Sequence, residues 1–569
     1  MLFKGYYFPT FFTTCYVPIV KQISKMFELP FRHPVQPAEA YKKRVAYFSM
    51  EFAIDQALKI YSGGLGFLAG SHMRSAWQLK QNLIGIGVLW KYGYYDQDRH
   101  ADNTLKVSYR EKIYHFLTDT GIRFTIPLLG RDVWVHVYYL APETFGTAPM
   151  FFLTSDTDGN DALGRSITYH LYDADPTIKA AQCALLGTGG AKLIDALGWD
   201  ADVYHLNEAH ALSAAFYLYQ KLGDKALLKE KLVFTTHTPE EAGNEKHNIH
   251  FLDNLGFFNG LSVEEVRQLT GITDDTFNHT LAALRLSRKA NGVSRLHGEV
   301  ARTMWSGYPG ICEIVHITNA QNKAYWADPE LEEARKQADP EALAVRKKQL
   351  KERLFREVAN QTGRLFSPEV LTIVWARRFA AYKRADLLLG DMDRFKALMS
   401  QKKYPIQFIW AGKPYPKDEG AIALFNRIHY LTHLIPHAAI LTGYELALSK
   451  LLKDGADVWL NTPVVTREAS GTSGMTAAMN GAVNCTTYDG WIPEFARDRE
   501  NCFVIPVAKD GDIHEQDRNN MFDLLENVIL PMYYEQPQSW RQVMLNGMND
   551  VGEQFDSNRL ADEYYRLLY

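Results

Sequence analysis

The stretch Asp457 to Thr476, DVWLNTPVVTREASGTSGMT, holds the pattern that organises this chain. Its first residues, Asp457–Leu460, read as a short buried strand. A string of small residues follows, and Ser473–Asn480 has a helical pattern. Strand, close-packed loop and helix start together aim backbone N–H groups at whatever lies beyond the strand's carboxyl end. Ligands of open α/β sheets bind there. The amides of Gly471 to Gly474 suit phosphate or sugar oxygens, and Glu468 is an acceptor suited to vicinal sugar hydroxyls. An N-capped helix with a glycine-rich entry accounts for the Ser and Thr but not for the whole string.

The same rhythm extends outward. Thr372–Trp375, Gln407–Trp410, Ala438–Leu441 and Val483–Thr486 read as further buried strands. Ala385–Met399, Ala421–Leu434 and Glu445–Leu452 read as helices between them. This alternation predicts a parallel, doubly wound α/β sheet. Toward the N-terminus, strands at Val45–Ser49, Ile84–Leu89, Val203–Leu206 and Leu232–Thr236 indicate a second α/β unit with insertions. Helices at Ser71–Leu79, Ile178–Leu197 and Ala211–Leu222 accompany them. The charged run Asp328 to Glu357 reads as exposed helices before a boundary near Phe366. Beyond His514 the chain is helical again, with Ser557 as N-cap of a final helix whose apolar face includes Leu560, Tyr564 and Leu568. The expected division is an N-terminal extension (1–26), an N-terminal Rossmann-like domain with insertions (27–365), a C-terminal Rossmann-like domain (366–514), and C-terminal helices (515–569) packing back across the domain junction.

At 569 residues the chain exceeds a single ordinary core. A net charge of −4 gives no reason to expect a nucleic-acid partner. The five cysteines (Cys15, Cys183, Cys312, Cys485, Cys502) include no CxxC pair, which fits a reducing, cytoplasmic setting. The apolar segment Gly5 to Val20 loosely resembles a signal peptide. It contains Pro9 and Pro18, lacks a small-residue cleavage site and is short for a membrane span, so a dispensable extension with Met26 as an alternative start is expected.

Three more motifs follow predicted strands. Ser62-Gly63-Gly64-Leu65-Gly66, with Gly70, reads as an anion-binding loop before a helix, or as a tight turn needing positive φ. Arg377 to Arg384 (RRFAAYKR) places cations at a strand's carboxyl end, where an anion would neutralise them; Arg378 as a planar fork and Lys383 as a point charge suit a phosphate. The alternative is a solvated helix start, which cations disfavour. The histidine segments Asn207 to His210 and Thr235 to Gly243 lack the i, i+4 pairing of a zinc helix, so no metal is expected.

In this order and spacing the motifs resemble the α-glucan (glycogen, starch, maltodextrin) phosphorylase family, particularly its shorter bacterial and archaeal branch. The resemblance runs from about Lys43 onward. It includes Ser49 to Phe52 (SMEF), GGLGFLAG from Gly63, DVWLNTP from Asp457, EASGTSGM from Glu468, Asn480-Gly481 and Asp489-Gly490-Trp491. It implies a GT-B fold, two Rossmann-like domains facing across a catalytic cleft. It also implies reversible, retaining phosphorolysis of α-1,4-glucan or maltooligosaccharide to glucose 1-phosphate, with phosphate as acid and base and no protein nucleophile. A homodimer is compatible with it; a membrane or nucleic-acid partner is not expected.

Carried over by position, Gly64 and Leu65 take the phosphate-loop role, and Arg378 and Lys383 the phosphate-binding cations. Tyr382 and Asn319 contact the donor sugar. His237 binds the glucosyl 6-hydroxyl, and Glu468, Ala469, Ser470 and Gly471 hold ring hydroxyls. Thr472 contacts a cofactor phosphate. The family's pyridoxal-phosphate lysine falls on Thr476, which cannot form an imine, and Ala477, Ala478 and Met479 supply no amine. No covalent pyridoxal phosphate is therefore expected there. Non-covalent pyridoxal phosphate, or the diphosphate of a nucleotide sugar, is the anion this leaves. Two other readings stand beside phosphorolysis. One is a nucleotide-sugar-dependent retaining glucosyltransferase, whose ribose-binding glutamate would also fall on Thr476. The other is an inactive glucan-binding homologue, against which the retained Arg378, Lys383, Glu468 and His237 argue.

Overall fold

The structure, a computed structural model, describes residues 27–508 and 511–569. The predicted extension 1–26 and the alternative start lie outside the described residues. Within them the strands form a nine-stranded and a six-stranded sheet, with two small two-stranded ribbons. The six-stranded sheet is parallel throughout. Its order is Ala438–Leu441, Ile406–Ala411, Leu371–Ala376, Val458–Asn461, Val483–Thr486, Phe503–Val504. The chain builds outward from Leu371–Ala376 in one direction and then restarts beside it in the other. The switch point therefore lies between Leu371–Ala376 and Val458–Asn461, the two strands that precede the cation-rich segment and the Glu468 loop.

The nine-stranded sheet runs Glu313–His316, Lys289–Gly292, Leu232–Thr235, Val203–Asn207, Val45–Phe48, Leu83–Val88, Met150–Thr154, Arg131–Leu140, Thr118–Leu128. Its order reverses at Val45–Phe48, which pairs in parallel with both Leu83–Val88 and Val203–Asn207. The central strands of both sheets are apolar runs buried on both faces, as helix-covered parallel strands require. The last two strands are an antiparallel hairpin absent from the sequence-based strands. Buried Val133, Val135 and Val137 alternate along it. Its turn, Leu129-Gly130, has φ of 57° and 70°, the mirror-image geometry that matches strand twist.

Several expectations need correction. The helix predicted over Ala385–Met399 is a 3₁₀ turn at Leu388–Gly390 followed by a helix at Met392–Ser400. Asp391 breaks the run by capping the second piece through Arg394 N. Ser557 is not the N-cap. Asp556 accepts from Asn558 N, and the Ser557 hydroxyl instead bonds Ser71 O and Ser75 Oγ, tying the last helix to Gly64–Gln78. The charged stretch forms helices Pro329–Lys336 and Pro340–Thr362, but the second is not simply exposed. Lys347 is buried and donates to the carbonyls of Asp454 and Asn480. Buried Lys351 donates to Asp457 Oδ2 at 2.5 Å. These two lysines tie the helix to the end of Leu446–Gly455, to Asn480 and to Asp457 at the start of the strand Val458–Asn461.

After the six-stranded sheet, Ile513–Leu524 and Pro537–Gln554 pack on that sheet's core. Ser557–Glu563 and the terminal turn enter the core of the nine-stranded sheet through Leu560, Tyr564 and Leu568. Tyr569 closes the chain with its hydroxyl 2.6 Å from His205 Nδ1. No helix among the described residues is long and apolar enough to cross a membrane.

Candidate active site

A cavity of about 310 Å³ lies where the carboxyl ends of the two switch-point strand pairs come together. From the nine-stranded sheet come Glu51, which follows Val45–Phe48, the glycine loop and His237. From the six-stranded sheet come Arg377 to Lys383 and the Glu468 loop.

Glu51 organises the glycine loop. Its Oε2 accepts from the amides of Ser62 (2.6 Å) and Gly63 (3.0 Å), and its Oε1 accepts from the Tyr172 hydroxyl at 2.8 Å. The helix Gly64–Gln78 then begins with no side chain capping it. Its first amides have no partner within the helix, and Gly64 and Leu65 line the cavity. Gly63, Gly64, Gly66 and Gly70 all have negative φ, so positive φ is not why glycine stands here. A Cβ on Gly70 would lie 2.0 Å from Ala53 O, and one on Gly66 2.8 Å from Glu51 Oε2. Those two glycines permit close packing, while Gly63 and Gly64 leave space open toward the cavity.

The four cations of the RRFAAYKR segment divide into distinct roles. Arg384 is buried, paired with Asp517 at 2.7 Å and bonded to the carbonyls of Thr462 and Pro463. Arg377 is buried and bonds Glu468 Oε2 (3.2 Å) and Asn461 Oδ1. Lys383 Nζ donates to the same Glu468 oxygen at 2.8 Å. Arg378 lines the cavity, is hydrogen-bonded to Tyr382 and forms no ion pair among the described residues. Burial alone would raise the Glu468 pKa, but Lys383 and Arg377 outweigh it and hold the carboxyl below its ordinary value. Glu468 is thus an ionised acceptor between two cations, beside a third that forms no ion pair among the described residues. Asp489 fixes its backbone by accepting from Glu468 N at 2.9 Å.

His237 donates from Nε2 to Asn207 Oδ1 at 2.8 Å, because the Asn207 amide nitrogen is itself donating to Ser49 Oγ. That leaves Nδ1 as an acceptor. Burial, helped by His297 and His210, lowers the His237 pKa to about 3, so the imidazole is neutral. Its backbone N–H is held by Glu208 Oε1. Asn319 Oδ1 and Ser470 Oγ are buried with no protein partner among the described residues, and both residues line the cavity. Unsatisfied buried polar atoms in a cavity wall are what a ligand's hydroxyls would satisfy.

The structure therefore brings His237, Arg378, Lys383, Glu468, Gly64, Leu65, Asn319, Tyr382, Ala469, Ser470, Gly471 and Thr472 to one cavity. Thr476 is the exception. It is buried behind the wall, and its hydroxyl donates to Ser473 O at 3.1 Å, so it presents nothing to a ligand. Glu51, Tyr172, Arg377 and Glu208 were not among the predicted site residues, although the strings SMEF, RRFAAYKR and NEAH contain three of them.

A second cavity, of about 570 Å³, lies on the other side of the His237–Thr238 segment and is lined by Glu208, His210, Thr238, Glu245 and His279 among others. Glu208 combines a positive φ of 66° with a buried carboxyl that accepts from His237 N and the Thr238 hydroxyl and forms no ion pair among the described residues, and burial raises its pKa to about 7.

Two α/β sheets, one parallel and one mixed with a parallel centre, whose strand-order reversals share one polar, cation-bearing cavity define the structural class. Comparison with known proteins adds the family. The family model described as Carbohydrate phosphorylase matches residues 278–526. An uncharacterized protein of Methanocaldococcus jannaschii is 47% identical over 93% of this chain and 100% of its own length. Maltodextrin phosphorylase of Thermococcus litoralis is 31% identical, covering 95% of this chain and 73% of that protein. Glycogen phosphorylase of Mycobacterium tuberculosis is 32% identical over 94% of this chain and 71% of its own. The chain belongs to the carbohydrate phosphorylase family.

Proposed function

We propose that the chain is a retaining α-glucan phosphorylase-type glucosyltransferase. In this reading the two sheets face each other in the GT-B manner, and a glucosyl unit passes between an α-1,4-glucan or maltooligosaccharide and phosphate. The observation that carries it is the guanidinium of Arg378, hydrogen-bonded to Tyr382 but in no ion pair among the described residues, beside the Glu468–Lys383 pair in a cavity that also holds the uncapped start of Gly64–Gln78. A cation and an open helix N-terminus suit an oxyanion, while an ionised Glu468 and the orphaned Asn319 and Ser470 atoms suit sugar hydroxyls. The names of the Thermococcus and Mycobacterium relatives agree with this pairing of ligands.

Arg378 would grip phosphate as a planar fork, and Lys383 would stabilise the charge it carries as leaving group in the synthetic direction. Glu468 would accept from ring hydroxyls, and His237, neutral with Nδ1 free, from the 6-hydroxyl. Glu468 is engaged by two cations, which argues against a role as nucleophile. The larger cavity beside Glu208 and Thr238 would receive the glucan.

The family's cofactor fits in one respect and not in another. Arg378, Lys383, Thr472 and the start of Gly64–Gln78 suit the phosphate of pyridoxal phosphate, whereas Thr476 offers its aldehyde no amine. When bound, that group supplies a second phosphate beside the substrate's. The test is glucose 1-phosphate formation from maltooligosaccharide and phosphate, with and without added pyridoxal phosphate, and with UDP-glucose and ADP-glucose as alternative donors in the synthetic direction. Turnover only with a nucleotide sugar, or none with any donor, overturns this reading.

A further inference from the structure

Asn319 and Ser470 both line the 310 Å³ cavity, and each holds a buried side-chain oxygen with no protein partner among the described residues. They follow strands of different sheets, Glu313–His316 and Val458–Asn461. A short path of hydrogen bonds nevertheless joins them. Asn319 N donates to Val293 O at 2.9 Å. The next residue, Ser294, donates from its hydroxyl to Ala469 O at 2.7 Å, and Ala469 adjoins Ser470. Ser294 is fully buried and is also the N-cap of the helix Arg295–Trp305, accepting from His297 N at 3.0 Å. Its one hydroxyl therefore caps a helix beside the nine-stranded sheet and grips a loop that follows the six-stranded one.

A second crossing lies one residue on. Glu494, on the helical turn Ile492–Phe495 after the strand Val483–Thr486, accepts at Oε1 from Arg295 N (2.8 Å) and at Oε2 from the Thr318 hydroxyl (2.7 Å). Arg295 N is one of the first amides of its helix, which no carbonyl of that helix can satisfy, and a carboxylate suits that end. Thr318 immediately precedes Asn319. The two crossings close into a ring on the six-stranded side. Glu494 N donates to Trp491 O at 3.0 Å, and Trp491 N donates to Ser470 O at 3.0 Å. Gly490, with φ of 61°, allows the close approach, since a Cβ there would lie 2.3 Å from Ser470 O. A loop of small residues buries little apolar surface of its own, so whatever holds its backbone decides where it sits. Both crossings fall one residue from a cavity atom that awaits a partner.

We propose that Ser294 and Glu494 are positioning residues, a clasp that sets the Glu468–Gly471 loop against Asn319 so that one sugar can hydrogen-bond both walls. A reacting group displaced by about 1 Å can lose on the order of a hundredfold in rate, so the register of the two walls matters as much as the residues on them. Arg378 and Lys383 lie outside the ring, and phosphate binding does not depend on it. The sugar's identity rests on the proposed phosphorylase reading; the clasp itself does not.

Hydrogen exchange of the full-length chain reads the clasp directly, and initial rates with maltooligosaccharide and phosphate read its consequence. In Glu494→Ala the amides from Arg467 to Thr476 should exchange about tenfold faster or more, while Leu371–Ala376 stays protected as in wild type. The kcat/KM for maltooligosaccharide should fall about 10- to 100-fold with the Kd for phosphate unchanged, a split that a merely stabilising contact would not produce. Glu494→Gln can still accept from Arg295 N and can donate to the Thr318 oxygen, so it should restore most of both signals. Ser294→Gly removes the donor to Ala469 at little cost to the helix cap and should loosen the same segment. Should Glu494→Ala expose Leu371–Ala376 as well, Ser294→Gly, which leaves the carboxylate in place, decides by the same two readings. Unchanged loop exchange in both variants overturns the clasp whatever the activity. Faster loop exchange with unchanged kcat/KM overturns the positioning role. A wild-type chain without phosphorolysis overturns the phosphorylase reading, and loop exchange still judges the clasp.

Discussion

Replacing Glu468 by Gln should move phosphate affinity and sugar turnover in opposite directions. The carboxylate accepts from Lys383 at 2.8 Å and from Arg377 at 3.2 Å. Gln keeps the shape and removes the charge. A phosphate in the same cavity then no longer faces a negative neighbour. At a separation of about 8 Å and an effective dielectric of about 20, that repulsion is worth about 2 kcal/mol, or roughly thirtyfold in Kd. The same change weakens the acceptor for ring hydroxyls. A hydrogen bond to a charged group contributes about 1.5–3 kcal/mol, so kcat/KM for the glucan reaction should fall about 10- to 150-fold. Arg377 and Lys383 lose their counter-charge, so the ligand-free variant should be less stable by about 3 kcal/mol, with phosphate restoring much of the loss. Calorimetric titration with phosphate, thermal unfolding with and without phosphate, and initial rates of glucose 1-phosphate formation measure the three effects. If E468Q bound phosphate more weakly than wild type, the carboxylate would not be opposing the anion, and the assignment of this cavity to phosphate would fail.

Arg378→Ala should weaken phosphate binding by about 10- to 100-fold, the loss of a charged two-pronged contact, and Arg378→Lys should recover only part of it; unchanged phosphate titration would remove Arg378 from the site. Glu208 has a folded pKa raised from 4.5 to about 7. The folded state therefore holds the proton more tightly, and wild type loses stability relative to Glu208→Gln as pH rises from 4.5 through 7, by about 3 kcal/mol in all. Denaturant midpoints of both proteins across that range test the sign, and a difference independent of pH would contradict it. Gly70→Ala should destabilise by about 1–3 kcal/mol, because its Cβ meets Ala53 O at 2.0 Å. Gly63→Ala, with nothing within 4 Å, should stay within about 1 kcal/mol of wild type; equal thermal shifts for the two would refute the packing argument.

Much of this architecture was legible in the sequence because buried parallel strands are short apolar runs, and the residues that carry chemistry sit just after them. Leu371–Ala376, Val458–Asn461 and the loops that follow are readable on that basis alone. What the sequence hid was pairing at a distance. In RRFAAYKR the cations look equivalent, yet Arg384 goes to Asp517, Arg377 and Lys383 go to Glu468, and Arg378 lines the cavity with no ion pair among the described residues. No local pattern announces partners so far along the chain. The helix Pro340–Thr362 misleads for the same reason. Lys347 and Lys351 lie on its buried face, and the groups that satisfy them belong to a later helix and strand.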